Sequence, residues 1–374
     1  MYDLKVYPNF TLIGVGDKIV FFTPQGTQQH ELVLSPSESS PKDGAQNNNP
    51  PQVVTLEYCS VSKLMAVSAA DKTLRCFKIE ENEGTITTVP VGECLATART
   101  IACMKFAPKH GLLFGCDKSE CFEYNMLAEP EKRSKWVLGH MSLILDIAIS
   151  PDERYIITCD RDEKIKVTSY PDCHNIVCYC LGHREYVVAL AFLAPKKLLS
   201  VAGDKTLRVW QFVEGKEIVT HRLQNPAIDV TVQRAKLDDH DGTLCAVTSY
   251  GGNEVEVLHI ADDPSHKCTS YETLSIDASF TILKAVLSSS LELYLLAWRK
   301  EDKMVELLVY EFMDQERQFR LNVDHALRKN FQKHFQSVTI SQPRDHSTLF
   351  KNSIDNLSDY YERKKQKIGK KTVE

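Results

Sequence analysis

Residues 203–210 read GDKTLRVW, a glycine and an aspartate followed by a run in which apolar and polar residues alternate. Alternation with a period of two indicates a β-strand that buries one face. Aspartate suits the preceding turn because its carboxylate can bond nearby backbone amides. Outward from this stretch, the same combination of turn and β run recurs in both directions. The seven copies start at Asp17, Asp71, Asp117, Asp162, Asp204, Gly252 and Asp302.

The copies are separated by 54, 46, 45, 42, 48 and 50 residues. A period near 45 with several short strands in each unit is typical of a β-propeller, whose blades are four-stranded sheets. The first interval is long because residues 35–51, SPSESSPKDGAQNNNPP, form a polar, proline-rich inserted loop. We therefore predict an all-β, seven-bladed propeller over residues 1–318.

Two copies also carry a Gly-His dipeptide, with the histidine 21 or 22 residues before the turn aspartate. A Ser or Thr stands on the strand between them, and the arrangement resembles the structural hydrogen-bond network of WD repeats. A hydrolase triad is the alternative, but the trio recurs in successive blades, whereas a catalytic triad is needed once. The predicted structural residues are His140 and Asp162 with Thr158 in one copy, and His183, Asp204 and Trp210 with Ser200 in the next.

Sequence motifs of enzymes are missing. Gly14-Val15-Gly16-Asp17 resembles a nucleotide-binding loop, but a strand follows it where such a loop would open a helix. The chain has no P-loop, HExxH or GxSxG motif. Its twelve cysteines are scattered without a CxxC, so we expect reduced, buried thiols and no metal site. We expect no catalytic residues and no cofactor bound by this chain.

The distribution of charge separates a body from a tail. The net charge is −5, yet residues 361–374 carry +4, which leaves −9 on the rest. An acidic body argues against nucleic-acid binding over the whole surface. No apolar run reaches the roughly 18 residues of a membrane span, and the N-terminus lacks the features of a signal peptide. We therefore expect an intracellular protein with no membrane partner.

Residues 319–374 are predicted to form a helical C-terminal extension with a basic end. A short helix is expected over residues 324–335, and Ser347 is a candidate cap for a second, amphipathic helix that follows it. The basic cluster can follow a phosphate backbone or act as a nuclear-import signal, and a merely solvating tail is the simpler alternative. The cluster comprises Arg363, Lys364, Lys365, Lys367, Lys370 and Lys371.

Residues 160–167, DRDEKIKV, place six charges in eight positions and depart from the generic repeat. This stretch, the LGH sequences on either side of it, the start YPNFTLIGVGDKIVFF and the ending LFKNSIDNLSDYYERKKQK resemble the Wuho family. That family is the WD-repeat non-catalytic subunit of tRNA (guanine-N7-)-methyltransferase. The resemblance extends in order over nearly the whole chain.

The resemblance implies a heterodimer. A separate catalytic subunit would bind S-adenosylmethionine and form 7-methylguanosine in the variable loop of tRNA, while this chain binds and stabilises that subunit. The basic tail would then bind tRNA, and we expect the nucleus as location, with a cytoplasmic share left open. Lysine at position 166, which can be arginine in relatives, keeps the charge but loses bidentate geometry. The docking residues implied are Arg161, Asp162, Glu163, Lys164 and Lys166.

The alternation of side chains along the strand supports a docking role for this turn independently of the family resemblance. It predicts that Ile165 and Val167 face the blade core, and that Lys164 and Lys166 point outward beside Glu163. A cluster that contains charges of both signs suits contacts that fix how a partner protein docks. A solvated charged turn is the simpler reading. The main alternative function is a propeller adaptor that presents proteins, for instance to a ubiquitin ligase.

Overall fold

The computed structural model describes residues 2–36, 51–82, 85–237, 240–263, 266–336 and 338–351. Over these residues the chain forms seven antiparallel sheets, each built from strands that follow one another in sequence. The sheets are the blades of a propeller, as predicted. No helix in the described ranges has the length and hydropathy needed to cross a bilayer.

Blades 1 to 3 contain β1 (Tyr2–Val6), β2 (Thr11–Val15), β3 (Lys18–Phe22) and β4 (Gln28–Val33); β5 (Val53–Cys59), β6 (Leu64–Ala69), β7 (Thr73–Asn82), β8 (Thr85–Pro90) and the short β9 (Leu95–Ala96), which pairs with β7; and β10 (Cys103–Phe106), β11 (Leu113–Asp117), β12 (Glu120–Tyr124) and β13 (Ser134–Gly139).

Blades 4 to 7 contain β14 (Ile144–Ile149), β15 (Tyr155–Asp160), β16 (Ile165–Ser169) and β17 (Ile176–Cys180); β18 (Val187–Ala194), β19 (Lys197–Ala202), β20 (Thr206–Gln211) and β21 (Lys216–Arg222); β22 (Ala227–Leu237), β23 (His240–Ser249), β24 (Glu254–Ala261) and β25 (Cys268–Ser275); and β26 (Phe280–Leu287), β27 (Glu292–Arg299), β28 (Val305–Met313) and β29 (Gln318–Leu321).

All seven predicted turns connect the second strand of a blade to the third. Four of them have a lysine with positive φ after the aspartate, between 44° at Lys118 and 62° at Lys303. The blades repeat one antiparallel order, so these turns and the connections between blades lie at the same end of the ring. We call this end the turn face.

The first strand of each blade lies beside the first strands of its neighbours, and together these strands surround a central channel. β1 and β26 complete the ring. Core clusters extend from one blade into the next, as where Ile165 of β16 packs with Val187 of β18. The middle strands of a blade are therefore covered on both faces by the neighbouring blades.

The junction between blades 7 and 1 is closed by side-chain packing together with the helix α1 (Ala326–Phe335). Leu327, Phe331 and Phe335 of the helix are buried there, and the two phenylalanine rings stack with centroids 4.6 Å apart. α1 lies within the segment predicted to be helical. The preceding strand ends at Leu321, three residues beyond the predicted propeller boundary.

Short 3₁₀ turns at Pro130–Lys132 and Ser347–Leu349 complete the described elements. The predicted insertion falls between β4 and β5, and its residues 37–50 lie outside the described residues. The predicted amphipathic helix lies outside them from residue 352 onward. So does the whole basic cluster, Arg363, Lys364, Lys365, Lys367, Lys370 and Lys371.

Candidate docking site

Blade 5 contains the predicted histidine network. His183 Nδ1 lies 3.1 Å from the Asp204 carboxylate, and the Ser200 hydroxyl lies 2.7 Å from His183 Nε2. Trp210 Nε1 donates to the same hydroxyl at 2.8 Å. Burial lowers the pKa of His183, so the ring is neutral and donates from Nδ1. Although burial opposes it, the bond with His183 lowers the pKa of Asp204 to about 2.

In blade 4 a different aspartate accepts this bond. His140 Nδ1 lies 2.9 Å from Asp160 Oδ2, and His140 Nε2 lies 2.7 Å from the Thr158 hydroxyl. The prediction that Asp162 takes this role is therefore wrong. Asp160 ends strand β15, whereas the equivalent position of blade 5 is Ala202, which has no carboxylate. In blade 5 only the turn aspartate can reach the histidine.

Asp160 also fixes the backbone of the charged turn. Its Oδ1 accepts hydrogen bonds from the amides of Asp162 and Lys164, at 3.0 and 2.9 Å. The Asp162 carboxylate is left at the surface, 3.7 Å from the guanidinium of Arg161. A rigid turn thus presents four consecutive charged side chains, those of Arg161, Asp162, Glu163 and Lys164.

Lys166 does not point into solvent as predicted, since it is only 5% exposed. Its amine donates a hydrogen bond to the carbonyl oxygen of Gly139, the last residue of β13 in blade 3. Burial lowers the pKa of Lys166. Ile165 and Val167 are fully buried, as predicted. The error has a physical cause, because blade 3 covers the face of β16 that an isolated sheet would expose.

The sequence did not predict a group of exposed apolar side chains on blade 4, which carries the charged turn, and on the neighbouring blade 3. Seven of the fifteen exposed large apolar side chains in the described residues lie between positions 127 and 181. They occupy the outer strands of blades 3 and 4 and the loops near those strands, including Met141, which is 100% exposed. We call this surface the apolar edge; it comprises Leu127, Trp136, Met141, Ile176, Val177, Tyr179 and Leu181.

The apolar edge and the charged turn are connected through the strands. Tyr179 pairs with Lys166 across β16 and β17, and Lys166 in turn contacts the end of β13, which carries Trp136. Exposed apolar side chains gathered on the outer strands of two neighbouring blades are typical of an interaction site. A signal was present in the sequence, since IVCYCL at 176–181 lacks the polar residues of a solvated outer strand.

The described residues contain no group of three or more His, Cys, Asp or Glu side chains placed to hold a metal ion. All twelve cysteines are free, with eight buried and four half-buried. Burial raises the pKa of Cys76 and Cys180 to about 12, so these thiols are protonated at neutral pH.

Comparisons with a family model and with individual proteins agree with each other. Residues 122–274 match the model of the tRNA methyltransferase TRM82 WD40 domain. The chain is 50% identical to the tRNA (guanine-N(7)-)-methyltransferase non-catalytic subunit wuho of Anopheles gambiae, over 99% of each protein. It is 32% identical to wuho of Aedes aegypti, over 98% of this chain and 97% of that protein.

Among solved structures, a chain in the crystal structure of the mitotic checkpoint complex superposes with a TM-score of 0.60. The match covers 78% of this chain and 84% of that chain at 13% identity, so it supports the fold alone. The sequence relatives are much closer and match from end to end. The chain belongs to the wuho family of tRNA (guanine-N(7)-)-methyltransferase non-catalytic subunits.

Proposed function

We propose that this chain is the non-catalytic subunit of a tRNA (guanine-N7)-methyltransferase and works by holding a separate catalytic subunit. The observation that carries the proposal is the rigid charged turn at 161–164 next to the apolar edge. Stable interfaces combine a desolvated core rich in aromatic and methionine side chains with a polar rim. Trp136, Met141 and Tyr179 can supply that core, and the turn can supply the rim.

The division of labour follows from the chemistry. Transfer of a methyl group needs a donor site and a pocket for the guanine base, and we assign both to the catalytic subunit. S-adenosylmethionine is accordingly a ligand of that subunit. The propeller offers a preorganised surface with few internal degrees of freedom, which lowers the entropic cost of association. Charges of both signs on the turn select the orientation of the partner.

Binding of tRNA is the second part of the proposal. The cluster that begins at Arg363 offers six cations within nine residues, enough to neutralise several phosphates and release their counterions. Such contacts position a nucleic acid without reading its bases. Recognition of the target guanosine therefore falls to the catalytic subunit and to the shape of the tRNA. A location in the nucleus remains a prediction from the sequence.

The test is reconstitution. The purified chain, the catalytic subunit and their mixture are each assayed for transfer of a tritiated methyl group to unmodified tRNA. We expect no transfer by this chain alone and strong transfer by the mixture. Methyl transfer by the lone chain would contradict the proposal. Recovery of a stable complex with a ubiquitin-ligase component, and none with the methyltransferase, would favour the adaptor function instead.

A further inference from the structure

Residues 338–351, which we call the strap, leave α1 and lie on the turn face. The strap starts on blade 7, where Thr339 forms a β-bridge with Met304. Trp298 Nε1 donates to the carbonyl oxygen of Ile340 at 2.9 Å, and the Ile340 side chain is buried. The beginning of the strap is therefore fixed to blade 7 by both backbone and side-chain contacts.

The middle of the strap passes the mouth of the central channel. Arg344 lies close to the Tyr2 hydroxyl, and His346 lies close enough to Asp229 to interact with its carboxylate electrostatically. Tyr2 and Asp229 belong to β1 and β22, two of the strands that surround the channel. Burial and the neighbouring Arg344 charge lower the pKa of His346 to about 4, so the strap crosses with a neutral imidazole.

The end of the strap is held on the opposite side of the ring. The Phe350 ring makes edge contacts with Tyr186 and Tyr250, with centroids 5.1 and 5.0 Å apart. The Lys351 amide donates to Glu185 at 3.2 Å, and the Lys351 amine donates to Glu163 at 2.5 Å. Glu163 belongs to the charged turn of blade 4. The chain therefore reaches the candidate docking site before its basic end begins.

We propose that the strap brings the basic tail to the docking site, so that nucleic acid bound by the tail lies beside the catalytic subunit. This inference rests on the proposed function. Arg363, the first residue of the basic cluster, is 12 residues beyond Lys351 in the sequence. If the strap were released as far as Ile340, the free chain would begin on blade 7, 23 residues from Arg363.

Anchoring matters because a tether sets the effective concentration of the group it carries. For a flexible chain this concentration falls at least as the −3/2 power of tether length, and more if the anchor moves away from the target. For a tether that is flexible throughout, an increase from 12 to 23 residues would lower this concentration about threefold before the displacement is counted. Phe350 supplies most of the attachment, because two aromatic rings contact it, whereas the exposed Lys351–Glu163 pair sets the direction.

The experiment measures tRNA affinity of the reconstituted heterodimer at low salt. The test variant combines Phe350→Ser with Lys351→Glu. A second variant lacks residues 352–374. The control combines Met313→Ser with Lys196→Glu, a change from an apolar residue to serine and a charge reversal at exposed positions on the opposite face. Hydrogen exchange of residues 339–350 verifies that the strap is released, and heterodimer affinity is measured for each variant.

We expect the test variant to lose three- to tenfold in tRNA affinity, measured with the heterodimer fully formed, and the control to be unchanged. Deletion of the tail should cost more, and combining it with the test variant should add nothing. A test variant that releases the strap but binds tRNA like the control would overturn the inference alone. If tail deletion leaves tRNA affinity intact, the proposed role of the tail fails, and the inference fails with it.

Discussion

The amine of Lys166 donates a hydrogen bond to the carbonyl oxygen of Gly139, linking the third strand of blade 4 to the last strand of blade 3. A residue that the sequence suggests as a docking cation is thus part of the contact between two blades. Its neighbour Lys164 is the exposed one.

This contact separates the effects of two charge reversals. Lys166→Glu places a carboxylate against a carbonyl oxygen in a buried site, and we expect it to lower the free energy of unfolding by about 2–4 kcal/mol. Lys164→Glu should change that free energy by less than about 0.5 kcal/mol and weaken binding of the catalytic subunit several-fold. Urea unfolding and titration with the catalytic subunit measure the two effects. Equal stabilities of the two variants would contradict the assigned geometry.

Asp160, at the end of β15, and Asp162, in the charged turn, should differ in the same way. Asp160→Ala leaves the His140 ring and two backbone amides without their acceptor, so we expect a loss of about 2–3 kcal/mol in unfolding free energy. Asp162→Ala removes only a surface carboxylate and should cost less than about 0.5 kcal/mol. Denaturant unfolding of both variants is the check, and a larger loss for Asp162→Ala would show that the acceptor is misassigned.

The sequence predicts the repeat well because each turn and its strand are local features. It predicts the wrong acceptor for His140, Asp162 in place of Asp160, because the two aspartates stand two residues apart and the spacing seen in blade 5 does not distinguish them. Lys166 is misplaced because alternation along one strand does not reveal that the next blade covers the second face. The apolar edge is missed for the opposite reason, because Trp136 and Tyr179 resemble core residues until the outer position of their strands is known. Closure of the ring by α1 depends on packing between distant segments, which no local pattern encodes.

Acid should destabilise the propeller through the histidine networks. The pKa of Asp204 is about 2 in the folded chain, below its ordinary value of 3.8, so its stabilising contribution is present above pH 4 and lost as the pH falls toward 2. Burial lowers the pKa of His183, so the unfolded chain takes up a proton first and stability also falls below about pH 6.5. Unfolding free energies measured from pH 7 to pH 3 should decline, and Asp204→Asn should flatten the slope below pH 4. A slope unchanged by that substitution would contradict the assignment.

The apolar edge should contribute to heterodimer formation without contributing to folding. Met141→Glu and Leu181→Glu alter side chains that are 100% and 64% exposed, so we expect unfolding free energies within about 0.5 kcal/mol of the parent. Each should weaken binding of the catalytic subunit by about ten- to a hundredfold, because a carboxylate would be desolvated in the interface. Val61→Glu, at a position 65% exposed on blade 2, is the matched control. Titration calorimetry decides, and unchanged affinity for both variants would place the catalytic subunit elsewhere on the ring.

Closure of the ring should depend on α1. Phe331 is 1% exposed and packs with residues of blades 1 and 7, so Phe331→Ala should lower the unfolding free energy by about 3–5 kcal/mol. Lys333→Ala, on the exposed side of the same helix, controls for changes in helix propensity and should cost less than about 0.5 kcal/mol. If the helix closes the junction, hydrogen exchange in the Phe331→Ala protein should accelerate first in β1 and β26, before the strands of blade 4. Uniform acceleration around the ring would instead mean that α1 adds stability without a specific role in closing the junction between the first and last blades.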